Sequence, residues 1–65
     1  MTIGDWLRGA QERLTESGCP DPRVDSRWIA EDTLGLTAKD LTFEALRDID
    51  PERLEVLNAR LERRV

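Results

Sequence analysis

The side chains of this 65-residue chain that could take part in a reaction are one thiol and several carboxylates, and no histidine accompanies them. Nucleophilic catalysis usually pairs a Ser, Cys or Thr with a nearby base, and the commonest base, histidine, is missing. A catalytic triad in its usual form is therefore excluded. Cys19 lies in a turn bounded by Pro20, and no cation is closer in sequence than Arg23. Since nothing local stabilises a thiolate, we interpret Cys19 as an unreactive loop thiol.

The acidic residues offer carboxylate pairs of the kind used in acid-base catalysis, such as Glu31 with Asp32 and Asp48 with Asp50. One member of such a pair must be desolvated for the two pKa values to separate, and the polar settings here indicate solvated surfaces. Asp25 is a stronger candidate because it falls in the first turn of a predicted helix, where the helix dipole favours an anion. For Asp25 we favour a structural ion pair with an arginine over catalysis.

Nine arginines accompany a single lysine, and their planar guanidinium groups could form a partner-binding surface. The competing interpretation is a solvated helix end whose charges complement the helix dipole. The net charge of −4 disfavours nucleic acid, since most of that affinity comes from phosphate neutralisation. The candidate contact residues are Arg8, Arg23, Arg27, Arg60, Arg63 and Arg64.

The composition predicts one small domain. A chain of 65 residues buries only about 60 % of the surface of its unfolded form, which leaves no room for a second core. The lone cysteine closes no internal disulfide, and without histidine there is no cluster of zinc-type ligands. No apolar run approaches the roughly 20 residues that span a bilayer, and no leader pattern follows Met1. We expect a cytoplasmic monomer without a membrane segment or a metal site.

The first helix is predicted over about residues 3–17. Thr2 is placed to cap it, with Asp5 three residues later in the capping-box position. Gly18 and the prolines after it end the helix in a turn, because proline lacks an amide donor. The apolar residues recur at the spacing of an amphipathic helix: Ile3, Trp6, Leu7, Ala10 and Leu14.

The second helix is predicted to begin at Pro22 and to end at Gly35, which adopts the left-handed conformation of a helix terminus. Asp21 is its expected N-cap. Arg27 and Glu31, four residues apart, are expected to pair on the solvent side.

The buried face of the second helix is predicted to hold Val24, Trp28 and Leu34, with Ile29 and Ala30 beside them. Trp6 and Trp28 each fall on an apolar stripe. We therefore assign both tryptophans to core packing and not to recognition.

Thr37 and Asp40 predict a capped, short third helix that contributes Leu41 to the core, with Phe43 as a further candidate. Residues 44–49 have no assigned structure. Asp50 and Pro51 then repeat a cap with proline at the first helical position. The final helix reaches about Arg64, with a buried stripe of Leu54, Leu57 and Leu61. Since no segment alternates as a strand does, the expected fold is all-α, a compact bundle of four or five short helices.

With these motifs in place, the chain resembles the N-terminal domain of the release-factor glutamine methyltransferases, the HemK/PrmC family. It departs from the usual family pattern at Ser26, Arg27 and Trp28, where the family has Ala, Glu and an aliphatic residue. The resemblance covers nearly all 65 residues in the family's order. It rests on Trp6-Leu7-Arg8, Pro22-Arg23-x-Asp25 with Trp28-Ile29, Leu34-Gly35-Leu36-Thr37 with Asp40-Leu41, and Leu61-x-Arg63-Arg64.

The resemblance implies a partner and an activity for the full-length enzyme. Enzymes of this family transfer a methyl group from S-adenosylmethionine to the glutamine of the Gly-Gly-Gln motif in peptide chain release factors. That chemistry belongs to a following Rossmann-like domain with an Asn-Pro-Pro-Tyr motif, and these 65 residues contain no Tyr and no Pro-Pro. The resemblance therefore implies a single substrate-recognition domain over 1–65 that binds a release factor and lacks the cofactor site and the catalytic domain.

Two other classes of function stay open at this stage. One is an acyl or peptidyl carrier protein, which carries phosphopantetheine on the Ser of an Asp-Ser-Leu motif at the start of its second helix. Asp25 and Ser26 lie at about that place, although Arg27 replaces the Leu. The other is a purely structural helical module with no partner of its own.

Overall fold

The structure is a computed structural model that describes all residues from 1 to 65, and its regular elements are all helical. The helices are α1 (Ile3–Glu16), α2 (Pro22–Leu34), α3 (Ala38–Phe43) and α4 (Pro51–Arg64). The predicted all-α fold is confirmed, with four helices and not five. Helix α2 contacts each of the other three and forms the centre of the bundle. None of the helices has both the length and the apolar character required to traverse a bilayer.

The N-terminal caps of α1 and α3 form from the predicted residues. Thr2 Oγ1 accepts a hydrogen bond from the amide of Asp5 at 3.2 Å. Thr37 Oγ1 accepts one from the amide of Asp40 at 3.2 Å, and Asp40 Oδ2 accepts one in return from the amide of Thr37 at 3.3 Å. These bonds satisfy amides that have no carbonyl partner inside their own helix.

The starts of α2 and α4 rely on proline and not on side-chain caps. Asp21 and Asp50 occupy the predicted N-cap positions, but neither carboxylate accepts a cap hydrogen bond. Pro22 and Pro51 follow at the first helical position, where the ring already fixes a helical φ and leaves no amide to satisfy.

Gly35 ends α2 in the left-handed conformation, with φ of +68°. In this conformation the amide of Leu36 bonds back to the carbonyl of Glu31 at 3.1 Å. Gly18, with φ of +87°, ends α1 in a similar way. A side chain at either position would strain the backbone, since L-residues rarely adopt positive φ.

Residues 44–49, which the sequence left unassigned, form a turn and a short extended stretch that return to the start of α1. The amide of Ile3 donates to the carbonyl of Arg47 at 3.0 Å, and the amide of Gly4 donates to that of Ala45 at 2.8 Å. Two orphan amides of the α1 N-terminus are thus satisfied by a segment more than forty residues away in sequence.

The core is one cluster to which all four helices contribute. Trp6 is 3 % exposed, and its indole Nε1 donates to Asn58 Oδ1 on α4 at 2.9 Å. Ile49 adds a buried side chain from the extended stretch before α4. The cluster consists of Ile3, Trp6, Ala10, Leu14, Ala30, Leu41, Ile49, Leu57 and Leu61.

The prediction that Trp28 packs in the core is wrong, because its side chain is 68 % exposed. The buried residues of α2 are Ser26 and Ala30. Trp28 lies two positions from each, or about 200° around the helix at 3.6 residues per turn, and so faces the opposite way. Val24, placed beside Trp28 in the prediction, is only half-buried.

Phe43 also lies outside the core, with 76 % exposure, while Leu41 is buried as predicted. The ammonium of Lys39 lies 5.8 Å from the centre of the Phe43 ring, a cation–π distance at an exposed site. Helix α3 therefore buries one apolar side chain and presents the other to solvent.

Alanine substitutions at two glycines of α1 are expected to have opposite effects. A Cβ on Gly9 meets nothing within 4 Å, so Gly9→Ala should raise the free energy of unfolding by about 0.5–1 kcal/mol. A Cβ on Gly4 would lie 3.2 Å from the carbonyl oxygen of Ala45, which accepts the bond from Gly4 itself. We expect Gly4→Ala to lower the free energy of unfolding, because the contact between Gly4 and the carbonyl of Ala45 must open to admit the Cβ. Urea denaturation measures both, and equal gains would contradict the close approach.

Candidate partner-binding surface

The carboxylate of Asp25 joins the start of α2 to the end of α4 and to the turn after α1. Its Oδ2 accepts hydrogen bonds from Arg64 Nη2 at 3.0 Å and Arg64 Nε at 3.2 Å. It also accepts a hydrogen bond from the thiol of Cys19, whose Sγ lies 2.8 Å away. The structure thus places Asp25 in an ion pair with an arginine, the arrangement favoured from the sequence over a catalytic role.

The contacts of Asp25 shift the pKa values of two side chains in opposite directions. The hydrogen bond from Cys19 and those from Arg64 lower the pKa of Asp25, so this carboxylate stays ionised. The hydrogen bond to Asp25, together with burial, raises the pKa of the Cys19 thiol. A thiol held in its neutral form is a poor nucleophile, and this agrees with the interpretation of Cys19 as unreactive.

Loss of the Asp25 charge is expected to activate Cys19. In Asp25→Asn the negative charge that opposes the thiolate is gone while Arg64 remains, so the pKa of Cys19 should fall. The matched variant Arg64→Gln removes a cation that favours the thiolate, so the pKa of Cys19 should rise further. The rate of alkylation by iodoacetamide, measured as a function of pH, gives the pH midpoint of Cys19 ionisation. A midpoint that does not move in Asp25→Asn would contradict the thiol–carboxylate bond.

Ser26 cannot serve as the attachment point of a carrier protein, and that alternative is wrong for this chain. Its side chain is 0 % exposed, and the hydroxyl donates to the carbonyl of Arg23 at 3.1 Å. A phosphopantetheine group on this oxygen would have to displace the helix that packs against it. Ser26 is instead a small residue that lets α2 approach its neighbours closely.

The six candidate arginines do not form one surface. Arg60 bonds Asp32 at 2.6 Å and Thr33 Oγ1 at 2.9 Å, and Arg64 bonds Asp25, so both are occupied by groups of α2. Arg8 is exposed on α1, with Asp5 at 3.8 Å. Arg63 is exposed and forms no ion pair, whereas its neighbour in sequence, Arg64, bonds Asp25. The remaining two, Arg23 and Arg27, lie together on α2.

The larger groove on the surface, about 890 Å³, runs between α2 and α4. The apolar side chains along it are Val24, Trp28 and Ile29, and its charged side chains include Arg60 and Arg64 with the carboxylates that they bond. The sequence did not identify Trp28 as a surface residue. Ser26 and Ala30, two small residues on the other face of α2, form the pattern that could have identified Trp28 as a surface residue.

A second groove, about 300 Å³, lies between α1, α2 and α3 and is named here the α1–α2–α3 groove. Leu7, Leu41 and Ala45 supply apolar side chains, while Arg23 and Arg27 supply the charged ones. No carboxylate lines it. Arg23 forms no ion pair, and the nearest contact of Arg27 to an acid is a 3.9 Å approach to Glu31, the pair predicted from the sequence.

These features define a class of protein. It is a small all-α domain of four helices around one core, and its surface grooves are lined by both apolar and charged side chains.

Comparison with known proteins assigns the family. The family model of the PrmC N-terminal domain matches residues 5–65, and the chain belongs to that family. The release factor glutamine methyltransferase of Caulobacter vibrioides is 33 % identical over 64 residues, which cover 98 % of this chain and 22 % of that protein. The release factor glutamine methyltransferase of Deinococcus radiodurans is 36 % identical over 52 residues, which cover 80 % of this chain and 19 % of that protein. The chain thus spans about a fifth of the length of these relatives, and no solved structure matches it.

Proposed function

We propose that residues 1–65 are the substrate-recognition domain of an enzyme that methylates the glutamine of peptide chain release factors. The observation that carries this proposal is the match to the PrmC N-terminal domain along nearly the whole chain, with relatives that are named for this activity. The chain binds the release factor, and the glutamine that becomes methylated is that of the Gly-Gly-Gln motif. The domain acts in the cytoplasm, as a monomer, and contacts no nucleic acid directly.

We place S-adenosylmethionine and the methyl transfer in a catalytic domain joined in cis outside residues 1–65. Of the four glycines, Gly4 and Gly9 lie in α1 and Gly18 and Gly35 in the turns after α1 and α2, so they build no glycine-rich loop for a cofactor. Asp25 and Cys19 are engaged with each other and with Arg64. These observations support a division of labour in which residues 1–65 bind the substrate and perform no catalysis.

A rigid recognition domain can accelerate a reaction that it does not perform. Its helices are fixed by caps and by one core, so a bound release factor loses its freedom of orientation before the glutamine reaches the catalytic domain. Binding energy of this kind acts on substrate capture. Removal of the domain should therefore raise KM for the release factor more than it lowers kcat.

The test uses the Caulobacter vibrioides relative in three forms: complete, without the segment that matches this chain, and with residues 1–65 of this chain in its place. Methylation of the release factor is measured with each form. The proposal requires a higher KM for the truncated enzyme and recovery in the chimera. Calorimetry should also detect binding between the 65-residue chain and the release factor. If truncation leaves methylation unchanged and the chain binds nothing, residues 1–65 are a structural module.

A further inference from the structure

We propose that the α1–α2–α3 groove is the docking site for an acidic, amphipathic segment of the protein partner, with Arg23 and Arg27 as the residues that receive its carboxylates. This inference rests on the proposed function for the identity of the partner, the release factor. The chemistry of the segment follows from the groove itself.

The charge of the groove is exceptional for this chain. The chain as a whole carries a net charge of −4, yet the only charged side chains that line the groove are two arginines. Arg23 has no ionic partner, and the one acid near Arg27, whose side chain is 48 % exposed, is Glu31, with its Oε1 3.9 Å from Nε. The groove therefore carries an excess of positive charge that attracts an anionic ligand, and guanidinium groups can bind carboxylates in a bidentate manner.

The spacing of the two arginines indicates one ligand segment. They are four residues apart on α2, which places their side chains on the same face of the helix, one turn from each other. Two carboxylates one turn apart on a partner helix would match this spacing. The partly exposed side chains of Leu7 and Ala45 then meet the apolar residues of the same partner segment.

The larger groove between α2 and α4 carries no equivalent inference. Arg60 and Arg64 are already neutralised there by Asp32 and Asp25. Glu31 also lines this groove, so it has no excess of positive charge that would select an acidic ligand. The apolar floor of the α1–α2–α3 groove likewise favours an amphipathic protein segment over a nucleic acid, whose backbone presents phosphates and no apolar side chains.

The test compares two double variants of the 65-residue chain that remove the same charge. Arg23→Gln with Arg27→Gln empties the groove of cations, and Arg13→Gln with Arg47→Gln removes two exposed arginines that line neither groove and are not candidate contact residues. The probes are the release factor, a helical peptide of Leu and Glu, the same peptide with Gln for Glu, and oligouridylate. Affinities are measured by calorimetry at two salt concentrations, and sites by amide chemical shifts.

We expect the release factor and the Leu–Glu peptide to bind the wild-type chain and to shift the amides of Leu7, Leu41 and Ala45. The groove variant should bind both about tenfold more weakly and with less salt dependence, while the control variant binds within about twofold of wild type. The Leu–Gln peptide should bind the wild-type chain as weakly as the Leu–Glu peptide binds the groove variant.

The other results would overturn one proposal or the other. Release-factor binding that shifts amides elsewhere, or equal affinity in both double variants, overturns the groove while the proposed function stands. If the Leu–Glu peptide binds the groove and the release factor does not, the groove is a site for an acidic, amphipathic segment, and the release factor is the wrong partner. Oligouridylate that binds at the groove more tightly than the Leu–Glu peptide overturns the choice of a protein segment.

Discussion

Trp6→Ala should lower the free energy of unfolding by about 3–5 kcal/mol, the range for removal of a buried aromatic side chain. Trp6 is 3 % exposed and belongs to the core cluster, and its indole donates to Asn58 on α4. The substitution removes the ring, leaves a cavity between α1 and α4, and breaks this hydrogen bond. A domain of this length has a total stability on the order of 3–10 kcal/mol, so much of the population should be unfolded.

The matched control is Trp28→Ala, which makes the same chemical change on the surface. Trp28 is 68 % exposed, so its removal should change the free energy of unfolding by less than about 1 kcal/mol. Urea denaturation followed by circular dichroism measures both variants without relying on tryptophan fluorescence. Similar losses in the two variants would show that Trp28 packs in the core, as its position on an apolar stripe predicted.

The second large effect is expected for Leu57→Ala, with a loss of about 2–5 kcal/mol. Leu57 is fully buried in α4 and faces the core cluster that all four helices share. Part of the loss is the transfer energy of the removed atoms, and the rest depends on how far the neighbours relax into the cavity.

Leu46→Ala provides the control for this second prediction because the residue types are identical and the surroundings differ. Leu46 is 90 % exposed in the turn after α3, and its truncation should change the free energy of unfolding by no more than about 0.5 kcal/mol. Thermal unfolding of the two variants in parallel gives the comparison. A large loss in Leu46→Ala would mean that residues 44–49 pack more tightly on the core than the fold indicates.

The exposure of Trp28 and Phe43 has a consequence for function. Large aromatic side chains on a small domain are the residues most often found at the centre of protein interfaces. Helical periodicity predicts Trp28 in the core and offers Phe43 as a further core candidate, and the candidate contact residues are all arginines. The structure adds two aromatic side chains to the surface that a partner could contact.

The positions of the helices could be read from the sequence because each end depends on residues within one turn of it. Thr37 and Asp40 bond each other across three residues, and Gly35 adopts its own backbone conformation. Proline at the start of α2 and α4 acts through its own ring. The all-α class and the buried stripes of α1 and α4 followed from helical periodicity for the same reason.

The buried face of α2 was decided only by tertiary structure. Both of its faces carry apolar or small residues: Val24 and Trp28 on one side, Ser26 and Ala30 on the other. Helices approach each other most closely where the side chains between them are small, which favours burial of Ser26 and Ala30. Which face of α2 is buried therefore depends on the side chains of α1 and α4 and not on α2 itself. A periodic pattern cannot distinguish two such faces, so Trp28 was assigned to the wrong one.

By itself, then, the sequence determined where the helices begin and end, that one core holds them, and which family motifs the chain carries. Only the tertiary structure brought Cys19, Asp25 and Arg64 together and joined residues 44–49 to the start of α1. It also placed Arg23 and Arg27 in one groove, apart from Arg60 and Arg64, which bond Asp32 and Asp25. The physical reason is range: caps and turns act within a few residues, while ion pairs and grooves depend on side chains that the chain brings together from far apart.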